Sequence, residues 1–304
     1  MKIINLDENV LKALKFHSQN PLPKLNLDKF KFPLVVGSEG AYYTGRNLFS
    51  NQTAIFANES NFKAKTKTYS NLIKNKTIKE TVIISASGEK DSVWEVELAN
   101  KLGLETTLLT CEDESTAAQI ADTTLIYKKI AEPYSYNFST YVGMMMSATR
   151  ENPKKILDLI KKIKLPRNFK NYQAYSFIIP NEFIEICPMI ETKGQEMFGS
   201  RMIIRAYTPG RARHAKFIVR WDKELVISLG ERNKYFGDPK SRWDINLPKS
   251  TEMATILSLT YYLVGKIQAA KPKYFQQNII NYATDYGPKA YGKTKPFDVI
   301  VPGL

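Results

Sequence analysis

The chain has 304 residues, 43% of them apolar, which is enough to build real cores in two domains of ordinary size. Its 44 lysines and arginines against 30 acidic residues give a formal charge of +14. No run of eighteen apolar residues exists and the charged first twenty lack a signal-peptide core, so a membrane span is excluded and a cytoplasmic location is expected. Residues 1–30 read as a helical leader, with Ile3, Leu6, Val10 and Leu14 on helical spacing before the breaker Pro21-Leu22-Pro23. A β-α-β pattern follows. Strands are expected near Leu34–Val36, Ala54–Ala57, Thr81–Ile84, Thr106–Thr110 and Thr124–Tyr127, with helices over Asp91–Leu102 and Ser115–Ala121. Short apolar strands without alternation point to a parallel sheet covered on both faces. Phe138–Arg150, rich in methionine, and the lysine-faced Pro153–Leu165 read as helices, and the stop at Leu165-Pro166 is the expected domain boundary.

The second half starts again with a strand, Ala174–Ile179, then a helical region through Glu191 and Glu196. Further apolar segments are Met202–Tyr207, Lys216–Trp221 and Leu225–Leu229, before a long helix over Met253–Ala269 and a tail from Lys295 to Leu304. The division is therefore 1–30, 31–165 and 166–304: a leader and two α/β units alike in architecture but without a visible sequence repeat. Cys111 and Cys187 stand far apart in the sequence, without metal-ligand spacing, and read as buried reduced thiols.

Thr81-Val82-Ile83-Ile84 runs into Ser85-Ala86-Ser87-Gly88-Glu89-Lys90, a strand that breaks into small hydroxylated residues ahead of a helix. Unpaired amides and a positive helix end converge there on an anion. Gly88 lets the backbone approach, and Lys90 adds a charge. A lone turn of this kind is an ordinary helix cap, with Ser87 or Ser92 as the capping residue. A second such turn, Gly37-Ser38-Glu39-Gly40 after Leu34–Val36, shifts the balance to a ligand, because open α/β sheets bind ligands at the carboxyl ends of their strands. The positive charge, scattered as lysine without a zinc finger, RNP-type motif or basic arm, weighs against nucleic acid and suits a small anionic substrate.

These residues resemble the SIS (sugar isomerase) domain family over most of 31–304, in the tandem form of archaeal phosphoglucose/phosphomannose isomerases and of the isomerase half of glucosamine-6-phosphate synthase. Ile84–Glu89 with Asp91 is similar to the family's phosphate-binding turn, Gly37-Ser38 to its earlier glycine and serine, and Ser139-Thr140 after Glu132 to its later polar turn. Gly210-Arg211-Ala212-Arg213-His214 resembles the basic loop carrying the ring-opening histidine. The only other histidine, His17, lies in the leader. Glu196 falls where such enzymes place the proton-transferring glutamate, at a spacing from His214 about two residues longer, with Glu191 as the competing choice. Lys293, in Pro288–Lys293, resembles the C-terminal lysine that reaches the sugar, with Lys289 and Lys295 read as surface lysines.

The resemblance implies two flavodoxin-like parallel-sheet domains and an aldose–ketose isomerase of a hexose or hexosamine 6-phosphate. Ser38, Ser85, Ser87, Gly88 and Lys90 would hold the phosphate, Gly37, Ser139 and Thr140 would line the sugar, and Glu196, His214 and Lys293 would act on it. It implies no cofactor, no metal, and a homodimer in which the histidine serves the neighbouring subunit. Ala86, Lys90, Glu39 and Ala215-Lys216 depart from the family pattern, and no glutaminase region precedes the first domain, so ammonia transfer from glutamine is not expected. The alternative is a sugar-phosphate sensor without turnover, which needs the phosphate turn but not the three catalytic groups.

Overall fold

A computed structural model describes residues 3–303. After helix α1 (Leu6–His17) the chain builds β1 (Leu34–Gly37), α2 (Gly40–Leu48), β2 (Ile55–Ala57), α3 (Phe62–Thr68), α4 (Ser70–Lys74), β3 (Glu80–Ile84), α5 (Asp91–Lys101), β4 (Glu105–Thr110), α6 (Thr116–Ile120) and β5 (Thr123–Ile126). Then come β6 (Glu132–Pro133), α7 (Phe138–Thr149), α8 (Pro153–Lys161), β7 (Ala174–Ile178), α9 (Cys187–Phe198), β8 (Ile203–Tyr207), α10 (Pro209–Ala212), β9 (Glu224–Leu229), β10 (Arg242–Ile245), α11 (Met253–Ala270), α12 (Tyr274–Asn281), α13 (Gly287–Ala290) and β11 (Ile300–Val301). The chain forms two compact units, one of residues 19–129 and 139–150, the other of residues 3–18, 130–138 and 151–303.

The first unit carries a five-stranded parallel sheet in the order β2-β1-β3-β4-β5, the doubly wound order of flavodoxin-like folds. Leu34, Val36, Ile83 and Leu108 pack with Phe62, Ile78 and Val96 into one of its cores, and this burial selects short apolar strands. The strand order reverses between β1 and β3, which pair with Val36 opposite Ile83 and Gly37 opposite Ile84. Both strands therefore end side by side at the topological switch point.

The second unit holds a four-stranded parallel sheet, β10-β9-β7-β8, and a small antiparallel pair, β11-β6. Helix α11 is buried almost all round, as its apolar sequence requires. The Glu151 carboxylate closes its start, accepting from the amides of Glu252 (3.1 Å), Ala254 (2.8 Å) and Thr255 (3.0 Å). A negative group at a helix N-terminus is favourable by up to about 1 kcal/mol at exposed sites.

The units divide the chain differently from the expected 1–30, 31–165 and 166–304. Helix α1 is no separate leader: a Cβ at Gly265 of α11 would lie 1.9 Å from the Asp7 amide, so the missing side chain lets the two helices touch. The Leu6 amide donates to Gln268 Oε1 at 2.8 Å, and Asp7 pairs with Lys266 at 2.8 Å. Helix α8 also packs against α1 and α11 and belongs to the second unit. Lys216–Trp221 forms turns, with Phe217 buried and Ile218 and Val219 79% and 81% exposed. Of the expected tail, 300–301 pair with β6, and Leu304 lies outside the described residues. Both cysteines are free and buried, and burial pushes the Cys187 thiol up to about 12.

Candidate functional site

Two strand-to-helix turns meet at the switch point of the five-stranded sheet. In the turn after β1, a Cβ on Gly37 would sit 2.9 Å from the Ala41 carbonyl carbon and from the Tyr42 nitrogen, so only glycine lets α2 start this close to the strand. The Ala41 amide donates to the Ser38 carbonyl at 3.0 Å. Between them Glu39 adopts φ 45°, ψ −111°, the first central position of a type II′ turn, where glycine is usual. The turn after β3 repeats the geometry, with Lys90 at φ 59°, ψ −119°. Neither side chain caps its own helix. Two side-chain-bearing residues held at positive φ each cost on the order of 1 to 3 kcal/mol, and such strain concentrates at ligand clamps.

The turn after β3 is pinned by its own hydroxyls. Ser85 Oγ accepts from the Gly88 amide at 3.1 Å and Ser87 Oγ from the Glu89 amide at 3.3 Å. Each oxygen is thereby oriented while its own hydrogen can still be donated. Gly88, at φ 61°, is doubly required, because a Cβ there would lie 2.0 Å from Ser115 Oγ. Ala86 uses its carbonyl, accepting from the Cys111 amide at 3.1 Å. The Glu89 carboxylate turns to α6, accepting from the Thr116 amide at 2.9 Å and hydroxyl at 3.1 Å. Ser38, Ser85 and Ser87 are partly or fully exposed, and so is Lys90. Ser139 and Thr140 start α7 as interior residues, and Thr140 Oγ1 accepts from the Cys111 thiol at 3.3 Å. Behind the turn, Glu95 of α5 is 1% exposed with Oε1 lacking a partner. Burial, then the nearby Asp91 and Glu59, pushes its carboxyl up to about 8.

In the other unit, Glu196 sits near the end of α9 with its side chain 31% exposed and ion-paired to Lys193 one turn earlier. Lys193 is a buried ammonium that also donates to the Ser135 carbonyl. The sequence reading passed over Lys193. Its Lys-x-x-Glu spacing, which puts both groups on one helix face, was the available signal. Glu191, the competing choice for the glutamate, ties α9 to β8 by accepting from the Ala206 amide at 3.1 Å.

Lys293 is exposed on the loop after α13. The loop starts in a Schellman-type end, with the Gly292 amide donating to Lys289 O at 2.9 Å and the Lys293 amide to Pro288 O at 2.9 Å. Lys289 pairs with Asp285, as a surface lysine does. The Tyr291 and Phe297 rings meet across the loop at 5.7 Å, and Phe297 meets Tyr134 at 5.7 Å. Tyr134 precedes Ser135, so the supports of Glu196 and of the Lys293 loop converge on adjacent residues. His214 stands on the exposed turn after α10, a short helix capped by Thr208 Oγ1, which accepts from the Arg211 amide at 3.3 Å. Among the described residues no group of three His, Cys, Asp or Glu is placed to hold a metal ion, and no helix is long and apolar enough to cross a membrane.

No protein-family model matches the sequence, and no curated protein matches it. Solved structures do match the fold. A protein assigned as a phosphosugar isomerase from Clostridium difficile aligns with TM-score 0.60 at 12% identity, covering 90% of this chain and 96% of that one. The tagatose-6-phosphate ketose/aldose isomerase of Escherichia coli aligns at 0.57 and 13%, covering 87% and 90%. The C-terminal domain of glucosamine-fructose-6-phosphate aminotransferase from Francisella tularensis gives 0.57 and 12%, covering 87% and 93%. At these identities the likeness establishes the fold, which is that of the SIS phosphosugar isomerases the sequence resembles.

Proposed function

We propose that the protein is a cytoplasmic aldose–ketose isomerase acting on a hexose or hexosamine 6-phosphate. The observation that carries the reading is the pair of serine-bearing, strained turns side by side at the switch point of the five-stranded sheet. Hydroxyls of Ser38, Ser85 and Ser87, first-turn amides of α2 and α5, and Lys90 supply donors and positive charge suited to a phosphate dianion. Gripping the phosphate fixes the far end of the sugar and so the reach of C1 and C2.

In this reading His214 delivers a proton to the ring oxygen and opens the hemiacetal. Glu196 takes the proton from one carbon and returns it to its neighbour through a cis-enediol, with Lys193 holding the carboxylate in place. Lys293 stabilises the oxyanion that develops on the adjacent oxygen. The protein acts as a homodimer in which His214 of each subunit serves the other, and no cofactor or metal takes part.

The test is to incubate the protein with glucose-, fructose-, mannose- and glucosamine-6-phosphate and follow interconversion. Glu196→Gln and His214→Ala should each lower kcat by roughly 10² to 10⁴, the usual worth of a positioned acid or base. Mixing the two inactive variants should restore activity if subunits share sites. Binding of sugar phosphates without turnover of any pair would replace this reading by the sensor. Indifference to every sugar phosphate would remove both.

A further inference from the structure

Resting on that reading, we propose that Tyr134 is a positioning residue, which holds the Lys293 loop in register with the Lys193–Glu196 pair. Its backbone belongs to the β6–β11 join, where its amide donates to Val299 O at 3.1 Å just beyond the end of β6. Its ring lies parallel to Tyr282 at 6.2 Å and 8°, and meets Phe297 at 5.7 Å. Phe297 is anchored in turn by its amide, which donates to Ala283 O at 2.8 Å, and closes the loop by touching Tyr291. Lys293 therefore sits between two aromatic residues whose rings meet. One of these rings rests on Tyr134.

The following residue makes the other connection. The Ser135 carbonyl accepts from the buried Lys193 ammonium, whose second partner is the Glu196 carboxylate. Adjacent backbone positions thus fix the group that moves the proton and the loop that carries the cation. Residues 292–296 between the two rings are exposed, so the Schellman-type end fixes the start of the loop and the rings fix its path beyond Lys293. Misplacing a catalytic group by about 1 Å can cost ~10²-fold in rate. The hydroxyl of Tyr134 takes no acid–base part: burial first, then a hydrogen bond with Tyr282 and the nearby Glu196, pushes its ionisation well above the usual tyrosine range. What matters is the ring, so phenylalanine should serve and leucine should not.

One arm of the test needs no substrate. Brief trypsin digestion with mass analysis reads cleavage after Lys293, referenced to cleavage after Lys67 in the other unit. Tyr134→Leu and, from the opposite side of the contact, Phe297→Leu should each raise the loop-to-reference ratio about tenfold or more, as local release of a contact exposes a segment. Tyr134→Phe should match the parent. An unchanged ratio in both leucine variants overturns the proposal.

The second arm uses turnover. Tyr134→Leu should lower kcat by ~10- to 100-fold with less than about a threefold change in KM, and should add no further loss in a Lys293→Ala background. Fully additive losses also overturn it. Should no sugar phosphate be turned over, the proposed function fails while the digestion ratios still decide the role of Tyr134.

Discussion

The two turns at the switch point share a backbone conformation and differ in everything that pins it. After β1 the turn is fixed by close packing, with Gly37 against the start of α2 and a Cβ at Gly40 destined to strike the Tyr141 ring at 2.7 Å. After β3 it is fixed by hydrogen bonds that Ser85 and Ser87 Oγ accept from the Gly88 and Glu89 amides and by the fit of Gly88 against Ser115. The same strained first position holds a carboxylate in one turn, Glu39, and an ammonium in the other, Lys90. Identical geometry with opposite charge shows that the backbone, not the side chain, is what both junctions conserve internally.

The comparison breaks most sharply at Gly88. Gly88→Ala should destabilise the fold by roughly 2 to 4 kcal/mol in urea titrations, combining positive-φ strain with the clash on Ser115. It should also abolish sugar-phosphate binding. Adding Ser115→Gly should recover the contact part and not the backbone part, which would separate the two costs.

Next comes Glu95, beneath the turn after β3 and without a counterpart at the other. The folded protein keeps a proton on a carboxyl of pKa about 8 that the unfolded chain releases near 4.5. The associated stability is full below pH 4.5 and is lost as pH rises through about 8, at up to about 1.4 kcal/mol per unit. Glu95→Gln should remove this slope and gain on the order of 2 kcal/mol at pH 8.5 relative to the parent. Parallel pH–stability curves for parent and variant would mean that Glu95 is solvated in the folded state.

The smallest effects lie at the paired strained positions. Glu39→Gly and Lys90→Gly should each raise stability by no more than about 2 kcal/mol, since relief of positive-φ strain is partly offset by the entropy of an added glycine. Their effects on phosphate affinity should be opposite, a loss of about three- to tenfold for Lys90→Gly and a gain of up to about threefold for Glu39→Gly. Equal shifts in the same direction would show that neither charge faces the anion.

The sequence by itself determined the strands of the five-stranded sheet, α5 and α7, the reduced state of both cysteines and the turn at 85–90. Each of these is written in short-range patterns: apolar runs too short for helices, a strand-to-helix change of period, and small residues where a backbone must bend. What only the tertiary structure decided depends on partners far along the chain. Nothing in the spacing of Leu6, Val10 and Leu14 says that α1 will lie on Gly265 of α11, so the leader and the boundary at 165 could not be placed. The apolar look of Lys216–Trp221 suggested burial, yet only Phe217 found a core to enter. The positive φ of Glu39 and Lys90 runs against local propensity and is imposed at Glu39 by the close approach of α2 to β1 and at Lys90 by a turn packed against Ser115. Tyr134 is illegible in the sequence for the same reason, and Lys193 shows there only as half of a Lys-x-x-Glu pair: a buried ammonium and an aromatic contact acquire their meaning through what long-range folding brings beside them.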